Sequence, residues 1–120
     1  MKRYFLFLLL VACSEKKSDT VLTPGEFDTK YKSTKNAILL DVRTLDQVAT
    51  GKIANTENIV WDASFADNLS NLENKPLFIY CGSGTRSARA AAVLKEKGYK
   101  EVYELDGGIK AWKAAGMPVE

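Results

Sequence analysis

The sequence contains no histidine, only two cysteines and only three prolines among its 120 residues. A metal site built from histidine and cysteine is therefore close to excluded, and we predict neither a metal nor another cofactor. Two cysteines are also too few for a disulfide-based scaffold, so the fold must rest on a hydrophobic core. With 46% hydrophobic and 27% charged residues the chain can form one such core, and it is too short for two domains.

An excess of charge of one sign is also missing. The formal net charge is +2, from 17 basic and 15 acidic side chains. Lys2 and Arg3 account for this excess, because the chain without residues 1–12 has equal numbers of basic and acidic side chains. A neutral body gives no electrostatic reason to expect a nucleic acid partner, and we predict none.

The N-terminal segment has the pattern of a bacterial export signal. A basic start precedes the apolar run 4–10, which is shorter than the roughly 20 residues that span a bilayer as a helix. Leu10-Val11-Ala12-Cys13 resembles the lipobox of bacterial lipoproteins, in which the leader is cut before the cysteine and the thiol is diacylated. We therefore expect a lipoprotein signal peptide at 1–12 and a lipidated N-terminus with a polar tether at 13–20. The alternative is an apolar N-terminal helix with an incidental cysteine.

Lipidation at Cys13 would place the protein in the cell envelope, held to a membrane by its acyl chains. Ser14 follows the cysteine, and the absence of aspartate there favours the outer membrane, facing the periplasm, if the cell is Gram-negative. Lipidation would also consume one of the two thiols. Cys81 would then be the only free thiol of the mature chain, without a partner for an intramolecular disulfide.

Strand and helix signals alternate from Val21 onward. Short apolar runs predict strands, whereas capping residues, alanine-rich stretches and terminal glycines delimit helices. This alternation is typical of an α/β fold with a mainly parallel central sheet and helices on both faces. We predict strands at 37–40, 58–60, 76–80 and 101–105, and helices at 23–32, 44–51, 63–72, 86–97 and 109–115.

Cys81 directly follows the strongest predicted strand and opens a glycine-rich loop, Cys81-Gly82-Ser83-Gly84-Thr85-Arg86. In a parallel sheet, functional groups gather at the carboxyl ends of the strands, which is where Cys81 is expected. The two glycines allow successive N–H groups to point inward, and such a nest before a helix start binds anions. The nest should stabilise the thiolate and lower the pKa of the Cys81 thiol.

We therefore predict that Cys81 is a nucleophile and that the residues after it form an anion-binding cradle. Arg86 adds a permanent positive charge at the far end of the loop. Two alternatives stay open: Cys81 is an inert thiol whose glycines only make a turn, and Arg86 points outward or pairs with an acid. The predicted cradle comprises Gly82, Ser83, Gly84, Thr85 and Arg86.

Four motifs in the expected order resemble the rhodanese-like family and cover nearly the whole of 21–119. The resemblance implies a three-layer rhodanese-like domain over 21–120. One departure is Lys52, because the family most often has histidine at that position. The motifs are Asp41-Val42-Arg43, then Gly51-Lys52-Ile53-Ala54 with Asn58-Ile59, then Tyr80 to Ser87, and last Leu105-Asp106-Gly107-Gly108 with Trp112, Gly116 and Pro118-Val119.

The resemblance implies sulfur transfer. A small sulfur-donor anion such as thiosulfate would convert Cys81 into a persulfide, and a thiol or cyanide-like acceptor would then take the sulfur. The loop N–H groups and Arg86 would bind the charge of the donor. The loop from Cys81 to Arg86 has six residues, the length found in sulfur-handling members, whereas related phosphatases use one residue more and would need arginine at Ser87.

Two other functions stay open. One is a membrane-tethered binding or sulfur-carrier module without turnover of small molecules. The other is a phosphatase or arsenate-handling enzyme, which the loop length disfavours. Asp41 and Arg43 also have two interpretations, since they could support the Cys81 loop through hydrogen bonds or form a structural ion pair. Trp112 and Tyr80 are predicted to pack in the core.

Overall fold

The structure is a computed structural model that describes residues 19–120. The predicted signal peptide, Cys13 and most of the predicted tether lie outside the described residues. No helix within the described range is long and apolar enough to cross a membrane. The strands of this range are β1 (Val21–Leu22), β2 (Ile38–Asp41), β3 (Thr56–Asn58), β4 (Leu77–Tyr80) and β5 (Val102–Leu105). The helices are α1 (Pro24–Ser33), α2 (Leu45–Ala49), α3 (Thr85–Glu96), α4 (Gly108–Ala114) and a 3₁₀ helix at Ala66–Leu69.

Side-chain caps begin the first two helices at the predicted positions. Thr23 Oγ1 accepts a hydrogen bond from the Glu26 N–H at 3.3 Å, and Glu26 Oε1 accepts one from the Thr23 N–H at 2.9 Å. The same reciprocal arrangement joins Thr44 and Gln47 at the start of α2. Each cap satisfies N–H groups that the first turn of a helix leaves unpaired, an effect worth about 1 kcal/mol. The second cap holds Gln47 near the carboxyl end of β2.

The strands form one parallel sheet in the order β1-β5-β4-β2-β3. β4 is central, and all its residues are buried. Asp41 is the register partner of Tyr80, so β2 and β4 end at the same level and the loops that follow them begin side by side. The predicted α/β fold with a parallel sheet is confirmed.

Alternate residues of β4 enter two hydrophobic cores, one on each face of the sheet. Ile79 belongs to the same core as Leu94 of α3. Phe78 belongs to the core that contains Phe27 of α1 and Trp112 of α4, and the ring centroids of Phe27 and Phe78 are 5.5 Å apart. Burial of each such side chain contributes about 1.5–3 kcal/mol. Helices therefore cover both faces of the sheet, as predicted.

The predicted helix over 63–72 is wrong, because only Ala66–Leu69 is helical and forms a single 3₁₀ turn. Asp62 begins a tight turn here. Its Oδ1 accepts the Ser64 N–H at 2.9 Å, and its carbonyl accepts the Phe65 N–H at 3.0 Å. Aspartate, asparagine and serine are frequent in this segment, and their side chains compete with the helix for backbone groups.

The two edge strands also differ from the prediction. The weak strand predicted at 58–60 is displaced, because the paired residues are Thr56–Asn58. β1 is an addition to the predicted elements, and only two of its residues pair with β5. Strands this short produce no period-two pattern of hydrophobic residues, so the pairing follows from the neighbouring strand rather than from the local sequence.

Candidate active site

Cys81 lies immediately after β4, at the carboxyl edge of the sheet, and only 1% of its surface is exposed. Its carbonyl accepts a hydrogen bond from the Ile109 N–H of α4 at 2.9 Å, and the preceding carbonyl, of Tyr80, accepts one from the Val42 N–H at 3.0 Å. The cysteine is therefore held between the loop after β2 and the start of α4. Among residues 19–120 it is the only cysteine, and its thiol is free.

Three hydrogen-bonding groups converge on the sulfur of Cys81. Its Sγ accepts the Gly84 N–H at 3.1 Å and the Ser87 N–H at 3.3 Å, and it lies 3.5 Å from the hydroxyl oxygen of Ser87. Gly84 has a φ of +106°, which side chains disfavour, and this conformation makes the sharp turn into α3. The loop forms a cradle whose centre is the sulfur atom.

The cradle favours the charged form of the thiol. Burial raises the pKa of Cys81, because a buried thiolate loses its hydration. The hydrogen bond between Cys81 and the Ser87 side chain, together with those from the N–H groups of Ser87, Gly84 and Ser83, lowers the pKa by more, so it lies below the ordinary value for cysteine. The direction of this shift is the predicted one. The thiolate is therefore more populated at neutral pH than in an ordinary cysteine.

A pair of glycines allows the start of α4 to pack directly against the Cys81 loop. The Lys110 N–H donates to the Gly82 carbonyl at 3.1 Å. A Cβ atom on Gly108 would lie 2.5 Å from the carbonyl oxygen of Cys81, so no side chain fits there. Sequence reasoning assigned Gly107 and Gly108 only to a turn and a family motif. A glycine pair between a strand and a helix is the signal that indicates such a close approach.

Arg86 is half-buried on the first turn of α3. Its Nη1 donates to Gln47 Oε1 of α2 at 2.9 Å, and a Cβ atom on Gly82 would lie 3.2 Å from its Nη2. Within residues 19–120 Arg86 forms no ion pair, so the alternative in which it pairs with an acid is wrong. Its charge faces a neutral amide and remains available to an anion. The other two cradle residues, Ser83 and Thr85, are exposed.

Asp41 and Arg43 form a buried ion pair with each other. Arg43 Nη2 lies 2.7 Å from Asp41 Oδ2, and Arg43 Nε lies 3.0 Å from each carboxylate oxygen. The guanidinium also donates to the carbonyls of Gln47 and Gly51. In the described chain neither residue hydrogen-bonds to the loop 81–86. The pair therefore has the structural role, and it holds α2 beside the cradle.

Gln47 and Ser87 are two further site residues whose roles were not predicted from the sequence. Gln47 connects two parts of the site, because its carbonyl binds Arg43 and its side chain binds Arg86. Ser87 contacts the sulfur, although from the sequence it was assigned only to a family motif and to a comparison of two loop lengths. A serine on the first turn of a helix, directly after the loop arginine, is the signal that could have identified it.

Three further residues of the family motifs make contacts within the fold and not with the Cys81 sulfur: Tyr80, Trp112 and Lys52. The Tyr80 hydroxyl is hydrogen-bonded inside the core, and burial raises its pKa to about 12. Trp112 is 3% exposed, and its Nε1 donates to the Pro118 carbonyl at 2.8 Å. Both aromatic residues pack in the core, as predicted. Lys52 exchanges two backbone hydrogen bonds with Glu120, at 2.9 and 2.8 Å, which holds the end of the chain beside this loop.

A family model for the rhodanese-like domain matches residues 23–115 of the chain. The chain belongs to the rhodanese-like family. A crystal structure of a rhodanese-related protein from Thermoplasma volcanium matches the fold with a TM-score of 0.75 at 29% identity, over 83% of this chain and 96% of that one. The five-stranded parallel sheet is therefore a rhodanese-like fold.

Several relatives of this rhodanese-like chain are named for sulfur transfer, and two of them match over most of their own length. A sulfurtransferase of Allochromatium vinosum is 34% identical over 90 residues, which cover 75% of this chain and 84% of that protein. The thiosulfate sulfurtransferase GlpE of Actinobacillus succinogenes is 32% identical over 88 residues, which cover 72% and 78%. A tRNA uridine(34) hydroxylase of Protochlamydia amoebophila is 33% identical, but the match covers only 30% of that protein. The domain therefore occurs in proteins named for different functions.

Proposed function

We propose that this rhodanese-like domain is a sulfurtransferase, which moves a sulfane sulfur from a donor such as thiosulfate to a thiophilic acceptor through a persulfide on Cys81. The observation that carries the proposal is the convergence of three hydrogen-bonding groups, from Gly84 and Ser87, on one buried sulfur with a lowered pKa. The names of the two sulfurtransferase relatives and the six-residue loop support the same chemistry.

In the donor half-reaction the Cys81 thiolate attacks the outer sulfur of thiosulfate. The new S–S bond forms as the S–S bond of thiosulfate breaks, and sulfite leaves with the electron pair. The resulting persulfide carries its negative charge on the outer sulfur. Arg86 binds the oxygen atoms of the donor, because no carboxylate of the described chain neutralises its guanidinium.

In the acceptor half-reaction a thiolate or cyanide attacks the outer sulfur of the persulfide. The bond between the two sulfurs breaks, and Cys81 Sγ leaves as a thiolate with the electron pair. The N–H groups of Gly84 and Ser87 already point at this atom, so they stabilise the leaving anion without rearrangement. Atoms and electrons balance over the two steps without another reactant.

A second candidate is a sulfur-carrier or binding module that transfers sulfur to a protein instead of a small molecule. It is favoured by Leu45, the first residue of α2, which is 71% exposed although it is large and apolar. Leu45 and Gln47 both belong to α2, the short helix whose Gln47 side chain contacts Arg86. An apolar side chain at this place offers a protein acceptor a contact that a small anion would not use.

The test is an assay in which the purified chain receives thiosulfate and cyanide, while thiocyanate and the mass of the protein are followed. We expect thiocyanate turnover and a mass gain of one sulfur atom in the wild type, and neither in Cys81→Ala. Cys13→Ser is the matched control and should retain both. A persulfide without thiocyanate would favour the carrier, and the absence of both signals would overturn the sulfurtransferase.

We also propose that Cys13 is lipidated and holds the domain in the cell envelope, on the periplasmic side of the outer membrane if the cell is Gram-negative. The support for this is the lipobox pattern, followed by the polar tether that ends at residue 20. The full chain is expressed in cells that are supplied with labelled palmitate. The wild type and Cys81→Ser should become labelled, whereas Cys13→Ser should not. An unlabelled wild type would contradict the anchor.

A further inference from the structure

We propose that Ser87 is a catalytic residue of the transfer cycle, whose hydroxyl exchanges one hydrogen bond for another as negative charge appears on Cys81 Sγ and leaves it. The inference rests on the proposed sulfurtransferase function and assigns a role that the persulfide mechanism alone does not require. In that role Ser87 assists the acceptor half-reaction more than the donor half-reaction.

The Ser87 hydroxyl lies between two hydrogen-bonding partners. Ser87 is fully buried, and its Oγ lies 3.5 Å from Cys81 Sγ and 3.2 Å from the carbonyl oxygen of Gly84. A hydroxyl has one proton to donate. While it donates that proton to Gly84, it can only accept a hydrogen bond from the Cys81 S–H. The structure shows this arrangement, which is the one that suits a neutral thiol.

Loss of the thiol proton reverses the preference of the hydroxyl. A thiolate has no proton to offer, so an oxygen lone pair directed at it would be repelled, whereas an O–H directed at it forms a charge-assisted hydrogen bond. Rotation about the Cβ–Oγ bond of Ser87 is sufficient for the exchange. The Gly84 carbonyl loses little, because it also accepts the Ala88 N–H at 3.2 Å. The exchange therefore leaves no buried acceptor without a partner.

The thiolate form of Sγ occurs at two points of the cycle, as the attacking nucleophile and as the leaving group. In the persulfide between them Sγ is neutral, and the hydroxyl returns to the Gly84 carbonyl. A hydrogen bond to a thiolate lowers its basicity, which makes it a better leaving group and a slightly weaker nucleophile. Ser87 should therefore accelerate sulfur release to the acceptor, and it should not accelerate attack on the donor once Cys81 is fully ionised.

The test compares full-length wild type with Ser87→Ala, which favours the helical backbone and removes only the hydroxyl. The rate of alkylation of Cys81 by iodoacetamide is measured against pH, and we expect its midpoint to move upward, with about tenfold slower alkylation at neutral pH. The two half-reactions are then measured separately in single turnovers above that midpoint. We expect donor attack to be unchanged within about twofold and sulfur release to cyanide to slow about threefold.

Two matched variants complete the experiment. Ser87→Thr retains a hydroxyl and should restore the wild-type ratio of the half-reactions, and Ser70→Ala removes an exposed hydroxyl after the 3₁₀ helix and should change nothing. Thermal melting confirms that each variant is folded. An unchanged alkylation midpoint, or equal slowing of both half-reactions in Ser87→Ala, would overturn the inference alone. Failure of the wild type to form any persulfide would instead overturn the proposed function.

Discussion

The loops after β2 and β4 begin at the same level of the sheet, because Asp41 and Tyr80 are register partners. A buried group that can carry a negative charge lies where each loop begins, because Asp41 ends β2 and Cys81 follows β4. Asp41 is 0% exposed and Cys81 is 1% exposed, so burial does not distinguish them. Their partners do. Asp41 forms an ion pair with the positively charged Arg43, whereas Cys81 Sγ contacts neutral N–H groups and one hydroxyl.

The difference in partners separates a structural carboxylate from the thiol that we propose is the nucleophile. Replacing a buried carboxylate that is paired with a buried guanidinium by a neutral group leaves an uncompensated ion. Neutral hydrogen-bond donors carry no charge that must be compensated. They therefore stabilise a thiolate and also remain satisfied beside a thiol or a persulfide. In the proposed cycle the sulfur changes its charge and its covalent partner within this cradle. The positive charge of Arg86 stands at the edge of this cradle, where it can meet an incoming anion.

The largest effect is expected when the negative charge of Asp41 is removed from the buried ion pair. Asp41→Asn leaves Arg43 buried and unpaired, which we expect to lower the free energy of unfolding by about 3–5 kcal/mol. That is a large part of the 5–15 kcal/mol typical of a domain. Urea denaturation followed by tryptophan fluorescence measures the loss.

The matched control for Asp41→Asn is Glu73→Gln, which breaks the exposed ion pair between Glu73 and Lys75. An exposed pair contributes about 0–1 kcal/mol, so this variant should unfold close to the wild type. If the two variants lose equal stability, Arg43 does not depend on Asp41 and the comparison between the two loops fails.

A smaller effect is expected when a negative charge is added beside the Cys81 cradle. Gln47→Glu would place a carboxylate where the neutral amide now accepts from Arg86, and glutamate still fits the cap of α2. The positive charge at the cradle would then be neutralised. We expect KM for thiosulfate to rise about three- to tenfold with kcat nearly unchanged, and the difference to shrink as salt is added.

The control for Gln47→Glu is Ala49→Glu, which adds the same charge at an exposed position of the same helix. Its KM should stay within about twofold of the wild type, because screening limits the reach of an exposed charge. Equal increases of KM in the two variants would show that total charge, and not the contact between Gln47 and Arg86, determines donor binding.

Much of the fold was predictable because its signals are local. Thr23 and Thr44 begin helices through contacts three residues away, and the buried strand β4 is a continuous apolar run. The segment 63–72 was predicted wrongly for a local reason as well, since the side chain of Asp62 forms a turn that helix periodicity does not reveal. The edge strands were missed or displaced because pairing with a neighbour defines them.

The candidate site also contains some residues that the sequence identified and others that it did not. Cys81 and its glycine-rich loop were recognised from adjacent residues, and the lowered pKa of the thiol follows from that loop. Gln47 and Gly108 were not recognised, because their roles come from contacts with Arg86 and with the backbone of Cys81. Ser87 is adjacent to the loop, but its role depends on where its hydroxyl points.

By itself the sequence determined the buried strands, the helix starts, the cysteine proposed as the nucleophile and the length of the loop that surrounds it. These are properties of neighbouring residues, which burial patterns, caps and glycines express directly. Only the tertiary structure decided that Arg86 meets Gln47, 39 positions away, and that Arg43 is neutralised by Asp41 instead of serving the cradle. The physical reason is that the order of strands in the sheet brings these loops together, and local sequence patterns do not encode that order.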